Sequence, residues 1–414
     1  MKNKKILELN KINYHITNLL GTNEVNVLED VSGHINEGQI TGIIGKSGAG
    51  KSCLLRIISG LIEQNSGQVK FRDLEVKTSM VFQDFALFPW LNVQENIELG
   101  LRSFHLSEAE IKERASEMIE LIGLDGFEDS YPKELSGGMK QRVGFGRALV
   151  SEPDILLLDE PFSSLDILTA ESLRSDFLEL WQQKIISIKA AILVTHDVSD
   201  LLSVCDRVLF MEGKTGQFYN QMDVTLKHPR NADSSEYKKL SDEIYKSVFR
   251  DMKHNYALRK GHTVDYKVLS NICRVNIGML IGFMEELNSD RYKGFANITK
   301  ISEDIKIEID DMGSCIEFAE ALDFIKFKDS NIRITAFGRG FASTTGKNQK
   351  QIFAAKLRKY IGIISEFEEL LKTESSNEKA IKKLQDRISK KLGKEKTQQA
   401  IDGLLNWVKF ADII

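Results

Sequence analysis

The run Gly45-Lys46-Ser47-Gly48-Ala49-Gly50-Lys51-Ser52 ends on a lysine and a hydroxyl. Its order, G-x-x-x-x-G-K-[ST], suits the grip of a polyphosphate. Glycine backbone turns tightly enough for several N–H groups to face one set of phosphate oxygens. Gly45, Ser47, Gly48, Ala49 and Gly50 supply that backbone. Lys51 reaches the β- and γ-phosphates, and Ser52 offers its hydroxyl to Mg²⁺. Further along, Asp159-Glu160 closes the apolar run Ile155-Leu156-Leu157-Leu158, and Thr195-His196-Asp197 closes Ala190 to Val194. In open α/β sheets, ligand chemistry collects at such strand ends.

These residues need elements that deliver them. Ile40-Thr41-Gly42-Ile43-Ile44 reads as a buried strand, and a helix begins near Lys51, adding its positive dipole end to the loop. Residues 6–38 alternate apolar and polar, which predicts three short antiparallel strands: Ile6 to Leu9, Ile12 to Ile16 and Val25 to Val31. Tyr14 on one of them either stacks on an adenine or packs. After a turn at Asn65-Ser66-Gly67, strands follow around Val69 to Phe71 and Ser79 to Phe82, the second ending at Gln83. Leu87-Phe88-Pro89-Trp90-Leu91 is an apolar cluster that either docks a partner from the surface or forms a small local core. Ser107-Glu108-Ala109-Glu110 is a capping box, with a helical stripe from Ile111 to Ile122 and a stop at Gly123. Residues of about 84–150 thus form a helical insert, closing with Leu135-Ser136-Gly137-Gly138 and a helix to Val150. Ser163-Ser164-Leu165-Asp166, a helix from about Ala170 to Lys184 and the strand from Ala190 continue a mostly parallel α/β sheet.

With 414 residues, 42% hydrophobic and 28% charged, the chain has room for two or three globular domains. A net charge of −4 gives no global attraction to nucleic acid or anionic lipid. No apolar run nears the roughly 18 residues of a spanning helix, and the basic start lacks a signal peptide's apolar core. Cys53, Cys205, Cys273 and Cys315 lack C-x-x-C spacing and read as free thiols in a reducing cytoplasm. All five prolines lie at or before Pro229. Beyond it the pattern is helical: Tyr237 to Met252, Tyr266 to Leu287, an amphipathic Asp311 to Ile325, and three closing helices near 350–372, 376–392 and 397–410, with a short strand at Ile332 to Thr335.

Taken together along the chain, these motifs resemble those of the ATP-binding subunits of ABC transporters. GKSGAGKS is similar to the family's first nucleotide motif and ILLLDEP (Ile155 to Pro161) to its second. LSGGMKQR (Leu135 to Arg142) resembles the family signature, SSLD (Ser163 to Asp166) the D-loop and THD (Thr195 to Asp197) the switch histidine. Gln83 resembles the Q-loop glutamine. Cys53 stands where a second hydroxyl is usual in the nucleotide-binding set, and Gly144 and Gly146 where alanine is common. Leu87 to Val93, Tyr131 to Glu134 and His228 to Asn231 resemble the group taking up nitrate, sulfonate, taurine or bicarbonate. Ile332 to Ala342 and Trp407 to Asp412 resemble an AAA-associated C-terminal domain.

The resemblance implies a fold and a reaction. The fold is α/β: an ABC-type phosphate-loop ATPase over 1–225, with an antiparallel β subdomain and helical insert. A linker and connecting helix over 226–263 and a mainly helical, winged-helix-like domain over 264–414 follow. The reaction is ATP hydrolysis, with Ser52, Gln83 and Asp159 holding Mg²⁺, Glu160 polarising the attacking water, and His196 contacting the γ-phosphate. A structural acid is the alternative for Glu160, and a packing role for His196. Ser136, Gly137 and Gly138, with Asp166, would complete the ATP site of a second subunit, most simply a second copy of this chain. The remaining implied partners are transmembrane permease subunits, met at the cytoplasmic face of the inner membrane through Phe88 and Trp90, and an extracytoplasmic substrate-binding protein. The competing reading is a soluble ATPase with a nucleic-acid-binding winged helix. Glu308, Asp310, Asp311, Glu317 and Glu320 place acid on its reading helix, so no nucleic acid is expected.

Overall fold

The computed structural model describes residues 4–17, 24–46, 48–73, 75–212, 215–249, 269, 272–305, 309–328, 330–392 and 394–413. The chain divides into two compact units, Met1–Ser241 and Asp242–Ile414.

The first unit opens with β1 (Lys5–Thr17), β2 (Glu24–Asn36), β3 (Ile40–Ile44), α1 (Lys51–Ile58), β4 (Ser66–Phe71) and β5 (Thr78–Val81). Helices α2 (Val93–Glu98), α3 (Glu108–Leu121) and α4 (Gly137–Leu149) follow. Then come β6 (Ile155–Asp159), α5 (Ile167–Gln182), β7 (Ala190–Thr195), α6 (Val198–Val204), β8 (Arg207–Met211), β9 (Phe218–Asp223) and α7 (Ser235–Val248), inside which the division falls.

Six strands make one sheet in the order β5-β6-β7-β3-β8-β9. Its pairs are parallel except β8 with β9. β3, β6, β7 and β8 are buried at every residue. That is why they read as unbroken apolar runs: a parallel strand covered on both faces has no polar side to show. The second sheet is antiparallel, in the order β2-β1-β4. One core joins the two, with Ile6 and Leu28 packed in the same cluster as Ile43, Leu54, Leu157 and Val194. The helical insert has its own core of Val93, Ile97, Ile111, Ile119 and Val143. The Ser107 capping box is present, with Glu110 Oε2 accepting from the Ser107 amide at 2.8 Å.

β1 and β2 correct the expectation of three short strands: they are two strands of 13 residues each. Register shifts between Leu9 and Ile12 and between Ile12 and Tyr14 break the alternation. Lys11 (φ 47°) and Asp30 (φ 50°) are left-handed there, so side chains change face without the strand ending.

In the second unit, α8 (Ile277–Asn288) precedes β10 (Phe295–Asn297), α9 (Ile298–Ile305), α10 (Ile309–Ala321), β11 (Ile325–Lys328) and β12 (Asn331–Ile334). The three strands form an antiparallel sheet, β10-β12-β11. Helix, strand, two helices and a hairpin is the winged-helix order. Five helices close the chain: α11 (Ala336–Ala342), α12 (Gly346–Tyr360), α13 (Gly362–Thr373), α14 (Asn377–Leu392) and α15 (Lys394–Phe410).

Three helix expectations change. The helix read over Tyr266 to Leu287 is interrupted by a turn at Cys273-Arg274, and Asn276 caps α8 by accepting from the Met279 amide at 2.8 Å. Residues 266–268, 270 and 271 of that span lie outside the described residues, as do 250–252 of Tyr237 to Met252. The helix over 350–372 is two, parted at Ile361. The stretch Asp311 to Ile325 is helix only to Ala321, and no residue from Asp311 to Ala321 is exposed. Trp407 of α15 stacks on Phe318 of α10 with ring centroids 4.2 Å apart, and Phe353 of α12 meets the same ring edge-on. The closing helices therefore cover the helix that a nucleic-acid reader would present.

Candidate functional site

The phosphate loop leaves the carboxyl end of β3, at the centre of the six-stranded sheet. A Cβ at Gly45 would lie 2.4 Å from the Met211 carbonyl oxygen, and one at Gly50 would lie 2.6 Å from Leu28 Cδ2. Gly50 is also left-handed (φ 86°), so both glycines are required by close approach. α1 starts at Gly50 without a side-chain cap, which leaves its first turn to an anion. Ala49 is buried, and Ser47 lies outside the described residues. Lys51 is only 6% exposed, and its Nζ donates to the Gly45 carbonyl at 2.7 Å and the Lys46 carbonyl at 3.2 Å. The ammonium thus lies folded over the loop.

Ser52 Oγ donates to Asp159 Oδ1 at 2.8 Å. Burial, aided by the Glu160 charge, lifts the Asp159 carboxyl above its ordinary value against that hydrogen bond. A buried carboxylate beside a hydroxyl is a hard-oxygen set, and these donors fit a magnesium ion. Next to it, Glu160 Oε2 accepts from Gln83 Nε2 at 3.1 Å and lies 3.1 Å from His196 Nδ1. Burial works upward on Glu160, but the His196 hydrogen bond and charge, with Lys51, hold its carboxyl below the ordinary value. Glu160 is therefore ionised at neutral pH. Its backbone is left-handed (φ 47°), held by its amide on the Val194 carbonyl at 2.9 Å.

Lys51, Ser52, Asp159, Glu160, Gln83 and His196 are therefore brought into one set. Tyr14 is half-buried against the core cluster of both sheets. Cys53 is half-buried, and burial pushes its thiol up, while Cys205, Cys273 and Cys315 are buried free thiols.

Ser136, Gly137, Gly138 and Asp166 form a second group. Ser136 caps α4 by accepting from the Met139 amide at 3.3 Å, and Asp166 caps α5 by accepting from the Thr169 amide at 3.1 Å. The two caps meet: a Cβ at Gly138 would stand 2.3 Å from Thr169 Cγ2. Ser136 and Gly137 remain exposed, facing outward at a helix start.

Between Gln83 and the aromatic cluster lies a brace that the sequence motifs do not mark. Arg147 of α4 donates to the Ala86 carbonyl at 2.7 Å and the Phe85 carbonyl at 3.0 Å. Buried Asn96 of α2 holds Phe88, Leu91 and Asn92 by their backbones. Phe88 and Trp90, 68% exposed in the case of Trp90, meet edge to face at 5.4 Å on that rigid loop. A single arginine in a helix carries no spacing signal of its own. The one available cue was its place in a helix already tied to the signature.

This fold and this set of residues define an ABC-type phosphate-loop ATPase. Residues 28–163 match the ABC transporter family and residues 299–414 the C-terminal AAA-associated domain. The chain is 37% identical to the aliphatic sulfonates import ATP-binding protein SsuB of Bacillus thuringiensis subsp. konkukian, over 58% of this chain and 94% of that protein. It is also 37% identical to the nitrate import ATP-binding protein NrtD of Synechocystis sp., over 52% of this chain and 86% of that one. The chain belongs to the ATP-binding, ATP-hydrolysing subunits of ABC transporters, as its motifs led us to expect.

Proposed function

We propose that the chain powers a membrane permease that imports a small anion of the sulfonate or nitrate kind. It works as a homodimer with two ATP molecules at the cytoplasmic face of the membrane, and an extracytoplasmic binding protein delivers the anion. The observation that carries the reading is the placing of Glu160 between Gln83 and His196, directly after Asp159. The relatives' names supply the anion class. Among the described residues no helix is long and apolar enough to cross a membrane.

The chain's own groups divide the work. Lys51 and the loop amides hold and neutralise the phosphates. Ser52 and Asp159, with Gln83 at hand, would hold Mg²⁺, which when bound offsets charge on the phosphate oxygens. Glu160 accepts a hydrogen bond from the attacking water and aligns it. His196 steadies Glu160 and contacts the γ-phosphate. Ser136 and Gly138 of one subunit close the partner's site with a hydroxyl and a helix N-terminus. The second unit regulates or docks. A nucleic-acid role is disfavoured because α10 is covered by α12 and α15.

Glu160→Gln tests this. The variant, purified with its permease, should bind ATP as the wild type does and lose on the order of 10²–10⁴-fold in turnover, the range of a lost general base. Wild-type turnover in that complex would remove Glu160 from the reaction.

A further inference from the structure

Resting on the hydrolytic reading above, we propose that Arg147 is a positioning residue: its guanidinium holds the turn after Gln83 in the one conformation that keeps Gln83 on Glu160. Phe85 (φ 57°) and Ala86 (φ 49°) are consecutive left-handed residues, and neither is glycine. L-residues avoid that region because Cβ crowds the following carbonyl, so two in succession persist only where neighbours impose them. The imposed contact is visible. The two arms of the Arg147 fork take the two successive carbonyls, Nη1 on Ala86 and Nη2 on Phe85. A planar fork is suited to two acceptors at fixed spacing, whereas an ammonium is not. Burial lowers the pKa of Arg147, which marks a guanidinium drawn out of water by its neighbours.

The arginine is itself fixed. At Gly100, after α2, a Cβ would fall 2.3 Å from the Arg147 carbonyl oxygen, so two backbones touch there. At Gly144, one turn before Arg147, a Cβ would lie 3.5 Å from the Phe85 carbonyl oxygen. α4 thus presents a smooth face and one charged fork to the turn. On the far side Asn96 pins Phe88 to Asn92 independently. The segment from Gln83 to Asn92 is therefore anchored at three places, and only the middle anchor restrains strained backbone. Released, residues 85 and 86 return to negative φ. Gln83 then leaves Glu160 while the Phe88–Trp90 pair keeps its shape. Because the fork sits on the helix that starts with Ser136, movement of the signature carries the turn with it.

The test uses the full chain with Arg147→Met, Arg147→Lys, and Ala86→Gly added to Arg147→Lys. Without nucleotide, hydrogen exchange of amides 84–87 should quicken about tenfold or more in Arg147→Met while the Asn96-held amides from Phe88 to Asn92, α1 and β6 exchange as in the wild type. With ATP, kcat should fall about tenfold and nucleotide affinity by much less, since Lys51, Ser52 and Asp159 stay in place. Arg147→Lys should lie between, and Ala86→Gly should restore much of its loss, since glycine needs no help to be left-handed. Wild-type exchange at 84–87 overturns the proposal. So does a fall in nucleotide affinity matching that in turnover, exchange spreading through α4 and α1, or failure of glycine to rescue; each makes Arg147 a brace of the core. A wild-type chain without ATPase would refute the hydrolytic reading, and the nucleotide-free exchange arm would still decide the role of Arg147.

Discussion

Replacing Gly138 by alanine adds one methyl group where the signature helix meets the start of α5. The added Cβ would stand 2.3 Å from Thr169 Cγ2, and its next neighbour, Thr169 Cβ, would be at an ordinary 3.8 Å. Forcing a methyl into packed surroundings costs about 1–3 kcal/mol, and alanine returns about 0.5–1 kcal/mol over glycine in a helix. The net loss is on the order of 1 kcal/mol, or about 2–4 °C for a unit of this size. Thr169→Ser removes the clashing methyl yet keeps the hydroxyl that Asp166 holds at 2.6 Å. The double variant should therefore melt near the wild-type temperature, and the cycle should report a coupling of about 1–3 kcal/mol. The assay is thermal unfolding of the full chain without nucleotide, in the transition that added ATP shifts upward. Wild-type melting of Gly138→Ala, or no recovery with Thr169→Ser, would refute the contact as the reason for glycine at 138.

Three further outcomes are expected. Gly144→Ala sets its methyl in ordinary van der Waals contact with the Phe85 carbonyl oxygen, at 3.5 Å, and should raise stability by about 0.5–1 kcal/mol. Gly146→Ala meets Ile122 Cδ1 at 2.8 Å and Ile97 Cδ1 at 3.1 Å and should lower stability by about 1 kcal/mol, so melting shifts of the same sign would contradict the packing. Burial and the neighbouring Arg230 charge push the His228 imidazole down to about 4. The unfolded chain then binds a proton that the folded one refuses, so stability is present above pH 6.5 and lost as pH falls through 4. His228→Gln should melt with a shallower dependence between pH 7 and 4.5, and parallel curves would count against it.

The sequence was most legible where a local rule decides the geometry. The phosphate loop needs only glycines and a following helix, and Ser107 with Glu110 is a complete cap within four residues. Fully buried strands declare themselves by lacking polar positions, so β3, β6 and β7 lie where their apolar runs place them. What failed was decided by distant partners. Bulges at Lys11 and Asp30 hide two long strands, because a face switch looks like a strand end. The burial of α10 depends on Phe353 and Trp407, decades of residues away, and its acids gave no hint of the cover. Arg147 was invisible for the same reason: its partners are backbone carbonyls 61 and 62 positions earlier.

Glu160 has an evolutionary side. Its left-handed backbone costs about 1–2 kcal/mol that glycine would not incur. A laboratory population selected for heat resistance alone would find that relief in a single residue change. On the role proposed for Glu160, the position is a point where selection for endurance and selection for turnover pull apart.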